Sequence, residues 1–151
     1  MNLPSIFNSM DSLMKEMQTN EILKVNEKTE KYGLTLTAED AVEIVEIRNH
    51  LLRSYGRVEL DMEATKKLIH CFSTSPFINQ EDYAASLKEL QEIFYYLKNE
   101  TADEIGDDNL IEVIKDLFDN SCEGSIELLQ GRELAAFVRG YRTKGQGKDY
   151  L

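Results

Sequence analysis

The sequence has few of the residues that carry most recognisable site chemistry. It contains no tryptophan, two cysteines, two histidines and two prolines among 151 residues. Two cysteines are too few for a disulfide framework, and Cys71 and Cys122 lack the close pairing of a zinc or redox motif. The histidines lack the repeated Glu-x-x-His spacing of a di-iron bundle. We therefore expect reduced thiols that behave as small apolar side chains, and no cofactor.

Long apolar segments are also absent. No run approaches the roughly 18 residues that suggest a membrane-spanning helix, and no basic segment followed by a short apolar one opens the sequence. No glycine-rich phosphate loop and no serine nucleophile elbow occurs. These absences predict a cytoplasmic protein with no membrane partner. They also make an enzyme the least favoured class.

Charge is strongly unbalanced, with 28 acidic side chains against 17 Lys and Arg and a net charge of −11. An acidic surface repels phosphate backbones, so we expect no nucleic-acid partner. The apolar fraction of 42% is typical of a soluble globular chain. The length predicts a single helical domain over residues 1–142. Gly145 and Gly147 predict a flexible tail over residues 143–151.

Apolar residues recur at helical spacing along almost the whole chain. The strongest pattern alternates steps of four and three residues, as in a bundle core helix, and comprises Tyr83, Leu87, Leu90, Phe94 and Leu97. Thr37 and Asp40 have the spacing of a capping box and predict a helix start. The fold class that follows is all-α, a compact multi-helix bundle of about seven helices.

Two short segments between helices alternate apolar and polar residues. Residues 34–36 follow Gly33, and residues 58–60 follow shortly after Gly56. Since each segment lies between a glycine helix stop and a helix start, we predict that they pair as one very short two-stranded ribbon packed on helices.

The first segment has an apolar face that comprises Ile6, Met10, Leu13, Met14 and Met17. Methionine adapts equally well to a core or to a binding surface, and core packing is the preferred interpretation. Tyr95 and Tyr96 pose a related choice, because the bulky residues 94–97 point in every direction around a helix. Burial within the chain is preferred over a tyrosine that faces a partner or a pocket.

Residues 119–130 approximate an EF-hand calcium loop. Ligand positions 1, 3, 5 and 9 would be filled by Asp119, Ser121, Glu123 and Glu127. Gly124 falls at the required turn position, but the last ligand position holds Gln130 in place of a bidentate glutamate. A turn between helices is the preferred interpretation of this loop, and a calcium site is the alternative.

Several strings resemble those of an uncharacterised family of small bacterial proteins, mainly from clostridia and their relatives. They are GLTLT at 33–37, RN at 48–49, GRVE at 56–59, SPF at 75–77, QEDY at 80–83, LQEIFYYLKNE at 90–100, FD at 118–119 and GS at 124–125. The resemblance covers about residues 20–140. It implies a bacterial, cytoplasmic protein, and it supplies no activity and no catalytic or binding residue.

The sequence therefore predicts a non-enzymatic, acidic helical protein that acts through contact with a protein partner or with copies of itself. The alternative function is calcium or metal binding by the loop at 119–130. No catalytic or cofactor-binding residue is assigned.

Overall fold

The computed structural model describes residues 3–148, with side chains over residues 10–143. Within this part the chain forms six helices of ten or more residues and no β-strand. They are α1 (Leu3–Lys24), α2 (Ala38–Ser54), α3 (Glu63–Phe72), α4 (Tyr83–Glu100), α5 (Asp107–Asp116) and α6 (Leu134–Lys148). The all-α class is confirmed, whereas the count of about seven helices and the ribbon are not.

Shorter helical turns fill several connections. Asn26–Thr29 and Glu30–Tyr32 extend the chain beyond α1 as far as Gly33, whose φ of 78° ends the helical geometry. After α5, the π-helical turns Leu117–Ser121 and Leu129–Glu133 flank a single α-helical turn. Most of the segment at 119–130, which approximates an EF-hand loop in sequence, is therefore helical backbone.

Helix α4 is the centre of the core. It packs against α2, α3, α5 and α6. All five residues of its predicted seam are buried, namely Tyr83, Leu87, Leu90, Phe94 and Leu97. Burial of so many large side chains on one helix supplies much of the hydrophobic stabilisation, as the 4-3-4-3 spacing predicts.

The predicted ribbon is replaced by hydrogen bonds from side chains. Leu34 and Leu36 are buried, as an alternating strand would require. The backbone of Leu36 pairs with the side-chain amide of Asn26. The backbone of Thr35 pairs in the same way with the side-chain amide of Gln80. These two amides satisfy the groups that a neighbouring strand would bond, so the segment needs no strand beside it.

The second extended segment is held in the same way by an arginine. Arg48 on α2 is almost fully buried and donates from Nη2 to the carbonyl oxygens of Glu59 and Asp61, at 2.9 and 2.7 Å. Val58 and Leu60 point into solvent, with exposed fractions of 85% and 93%. The apolar residues of the two segments thus face opposite environments, which a paired ribbon on a common core would not allow.

The start of α2 and the end of α6 test two further expectations. Thr37 caps α2 through the predicted capping box, with both the Thr37 and Asp40 side chains engaged. At the other end, α6 continues to Lys148, into the segment assigned to a tail, and residues 149–151 lie outside the described part. Flexibility of residues 143–151 stays a prediction.

Over the described residues, none of the helices combines the length and apolar character needed to cross a bilayer.

Candidate interaction surface

One face of α1 presents apolar side chains to solvent. Met10, Leu13, Met14 and Met17, here called the α1 apolar face, have exposed fractions of 55%, 58%, 54% and 61%. Their spacing places them in one stripe along the helix. The preferred interpretation as core methionines is therefore wrong for these positions. Ile6, the fifth residue of the pattern, lies outside the residues whose side chains are described.

The α1 apolar face is exposed because α1 packs on α2 through a different side. Lys15 forms an ion pair with Glu46 at 2.9 Å, and Gln18 accepts a hydrogen bond from Asn49 at 3.1 Å. One turn further on, Ile22 is completely buried. The spacing of apolar residues alone could not show which side of α1 contacts α2. It is this mixed polar side and not the side with the methionines.

A cavity of about 490 Å³ opens beside the α1 apolar face. Met14 and Val58 line it together with polar side chains of α2 and the following loop, including Arg48, Arg57 and Glu59. The surface is thus an apolar stripe bordered by a polar, charged recess. Such a combination is typical of protein contacts, which surround an apolar centre with polar groups.

A polar network fixes the loop that borders this cavity. Tyr95 donates a hydrogen bond to Glu59 at 2.6 Å, and Arg57 contacts the other oxygen of Glu59 at 3.3 Å. Arg57 also binds both oxygens of Asp103, at 2.7 and 2.9 Å. Burial and the bond to Glu59 raise the pKa of Tyr95 well above its ordinary value. The loop at 57–61 is therefore anchored to α2, to α4 and to the turn after α4.

No role for Arg48, Arg57 or Glu59 was predicted from the sequence. A buried arginine that binds backbone carbonyls leaves no periodic signal, since its partners are set by the tertiary fold. Arg48 lies in the string RN, and Arg57 and Glu59 lie in the string GRVE. Both strings resemble those of an uncharacterised family, and this resemblance was the one sign in the sequence that these residues have a role.

The two adjacent tyrosines of α4 have different surroundings. Tyr95 is fully buried, whereas Tyr96 is 36% exposed and lines a groove of about 410 Å³. The apolar walls of this groove come from α2, α4 and α6 and comprise Leu51, Tyr55, Ile93, Leu134 and Ala135. Burial within the chain holds for Tyr95, while Tyr96 faces a groove, because adjacent residues on a helix point about 100° apart.

In the loop at 119–130, for which a calcium site was the alternative interpretation, the first candidate ligand already accepts hydrogen bonds within the chain. Asp119 accepts a hydrogen bond from Ser75 at 2.6 Å through one oxygen and from Lys115 at 2.8 Å through the other. Glu123 and Glu127 do not form a group of three acidic side chains with it. The carbonyl oxygen of Ser121 accepts a hydrogen bond from Arg132 at 3.2 Å. Among the described residues there is no group of three or more Asp, Glu, His or Cys side chains suited to an ion.

The glycine of this loop has a packing role. Gly124 has a φ of 82°, and a Cβ added to it would overlap the side chain of Phe77. Both the backbone conformation and the contact therefore require glycine. The preferred interpretation of a backbone turn accounts for this residue without an ion.

Both cysteines are unpaired thiols, Cys122 buried and Cys71 partly so. Burial raises the pKa of each thiol above its ordinary value. At neutral pH the thiolate fraction is correspondingly reduced, and the thiolate is the nucleophilic form. Neither cysteine has the environment of an activated nucleophile.

Comparison with known protein families gives a match over most of the chain. The model of a family of unknown function, DUF6323, matches residues 21–147. No curated protein and no solved structure matches the chain. The matched part includes Arg48, Arg57, Glu59 and Tyr95, whereas the α1 apolar face precedes it.

Proposed function

We propose that this chain, which belongs to the DUF6323 family of unknown function, acts through protein–protein contact, with the α1 apolar face as its contact surface. The observation that carries this proposal is the exposure of four large apolar side chains in a single stripe. Scattered apolar residues are normal on a protein surface, whereas a contiguous apolar stripe with a polar border is characteristic of a binding site.

The composition of the stripe supports contact with a protein. Three of its four residues are methionines, whose unbranched side chains adjust to the shape of an opposing surface. Burying each side chain against a partner would remove about 100 Å² of apolar surface from water, which is favourable at roughly 25 cal/mol per Å².

The attachment of α1 to α2 supports the proposal further. Lys15, Gln18 and Ile22 hold the helix against the body of the protein. A surface that is already ordered loses less conformational freedom on binding than a disordered segment does. The loop that carries Val58 is also anchored by hydrogen bonds, and Val58 adds an apolar residue beside the face.

Site-specific photo-crosslinking in living cells tests this function. A photoreactive residue replaces Met14 in the α1 apolar face or, as a control, Ser12, which is exposed on another side of the same helix. We expect covalent protein adducts from position 14 and few from position 12. Equal yields at both positions, or no adduct at either, would contradict the proposal.

A further inference from the structure

We infer that the partner of the α1 apolar face is a second copy of this chain, whose α1 packs antiparallel to the first. This inference rests on the function proposed above and names its partner. It is argued from the spacing of the apolar residues, the positions of the acidic residues along α1, and the size of the exposed surface.

The spacing matches a helix-to-helix seam. Met10, Leu13 and Met17 are separated by three and four residues, which are the steps between the a and d positions of a heptad. In the sequence, Ile6 extends the pattern by a further step of four. Met14 lies at the e position beside this seam and widens the apolar stripe on one side, whereas the stripe of α4 contacts several helices.

The acidic residues select the antiparallel direction. With Met10 and Met17 at a positions, Glu16 occupies a g position and Glu21 the following e position. In a parallel pair, Glu16 of each copy would face Glu21 of the other, so two like-charge contacts would oppose association. Reversing one helix so that Met10 faces Leu13 removes both contacts. Glu16 then faces the segment before Met10, which contains no acidic residue.

The charge of the helix disfavours a lipid surface as the occupant. Helices that lie on membranes carry Lys and Arg on the polar face. From Met10 to its last residue, α1 carries two basic residues, Lys15 and Lys24, against Asp11, Glu16 and Glu21. Anionic lipids would be repelled by this side and by the net charge of the whole chain.

The size of the surface sets the expected strength. Two copies of the α1 apolar face, with Val58 at the edge, would bury roughly 1,000 Å² in total, near the lower limit of specific protein interfaces. We therefore expect a reversible dimer with a dissociation constant in the micromolar range, not an obligate one.

Sedimentation equilibrium of the full chain tests the dimer. We expect the wild type to associate over micromolar concentrations, and Leu13→Glu to weaken association at least about tenfold by placing a charge in the seam. Ser12→Glu adds the same charge outside the seam and should change the constant by less than about twofold. Because Leu13 is exposed, its variant should keep the wild-type helix content by circular dichroism. Met17→Glu repeats the test at a second seam position.

Three results would overturn the dimer. They are a wild type that stays monomeric, a Leu13→Glu variant that is folded and still dimeric, and an equal loss of association in Ser12→Glu.

Disulfide trapping tests the direction of pairing. In the antiparallel arrangement the two Asn20 positions lie about 25 Å apart along the helix axis, whereas in a parallel pair they are adjacent. We expect a mixture of Met10→Cys and Leu13→Cys chains to form a disulfide heterodimer under mild oxidation, with the wild type as the control for the native cysteines. An Asn20→Cys chain should form no disulfide beyond that control. Efficient trapping through Asn20→Cys would overturn the antiparallel assignment.

The photo-crosslinking experiment separates this inference from the proposed function. Adducts from position 14 that contain a different protein, together with a monomeric purified chain, would overturn the second copy as partner and leave the contact surface intact. A purified monomer without any adduct in cells would overturn both.

Discussion

Asn26 pairs with the backbone of Leu36 through both ends of its side-chain amide. Nδ2 lies 2.9 Å from the carbonyl oxygen of Leu36, and Oδ1 lies 2.8 Å from its amide nitrogen. Since Leu36 is buried, these backbone groups have little access to water once Asn26 is lost. A single side chain thus replaces one step of a strand ladder.

We expect Asn26→Ala to lower the free energy of unfolding by about 2–3 kcal/mol, because it leaves a partly buried donor and acceptor without partners. Asn109→Ala is the matched control, since Asn109 is exposed on α5, and its effect should stay within about 0.5 kcal/mol. Urea unfolding of the two variants measures the difference. Similar small effects for both would show that the amide pairing contributes little.

This pairing explains where the sequence predicted the fold correctly and where it did not. The seam of α4 and the capping box of Thr37 depend on residues three or four positions apart, so both are visible in the sequence. The partners of the extended segments are Asn26, Gln80 and Arg48, which lie ten or more residues away and follow no periodic pattern. Alternation predicted extended backbone but could not predict what would bond to it.

The sequence predicted which residues form the candidate interaction surface but not that this surface would be exposed. Periodicity grouped Met10, Leu13, Met14 and Met17 on one face, and the structure places them together. Which face of α1 contacts the body depends on how well α2 complements Lys15 and Gln18. That complementarity is a property of two helices in space, so a rule based on hydrophobicity selected the wrong side.

Gly124 provides a test of backbone and contact together. Gly124→Ala should lower the free energy of unfolding by about 3 kcal/mol or more, since it adds an overpacked contact with Phe77 to the strain of a left-handed residue. Gly56→Ala is the control, because Gly56 has a φ of 65° and no atom within 4 Å of the added Cβ. Its cost should be about 1–2 kcal/mol, from backbone strain alone. Thermal unfolding compares them, and equal shifts would rule out a role for the contact with Phe77.

Ionisation of Tyr95 should lower the free energy of unfolding of the protein at alkaline pH. Burial and the hydrogen bond to Glu59 raise its pKa in the folded state, so folding favours the protonated phenol. The resulting stabilisation is fully present below the unfolded-state pKa of about 10 and is lost as the pH rises above that value. Denaturant unfolding at about pH 8 and about pH 11 should therefore show a smaller decrease for Tyr95→Phe than for the wild type.

Tyr32→Phe is the control for this effect, since Tyr32 is exposed and its loss should leave the alkaline decrease unchanged. Tyr95→Phe also removes a hydrogen bond at neutral pH, so the comparison concerns the change between the two pH values and not the stability at either one. A Tyr95→Phe variant with the same alkaline decrease as the wild type would show that Tyr95 ionises as freely in the folded state as in the unfolded chain.

Calcium at about 1 mM should change the melting temperature of the protein by no more than a degree or two. The loop at 119–130 has Gln130 where a bidentate glutamate closes an EF-hand, and both oxygens of Asp119 already accept hydrogen bonds from Ser75 and Lys115. An ion at Asp119 would have to share the carboxylate oxygens with these two donors, and the positive charge of Lys115 beside them would oppose its binding.

Asp119→Ala should instead lower stability by about 1–3 kcal/mol with or without calcium, because it removes the acceptor for both Ser75 and Lys115. Asp119→Asn, which keeps one acceptor oxygen for Ser75, should lose less. Differential scanning calorimetry of the three proteins, each with calcium and with chelator, measures both effects. A rise in melting temperature with calcium that disappears in Asp119→Ala would show that the loop binds the ion through Asp119 and would contradict this prediction.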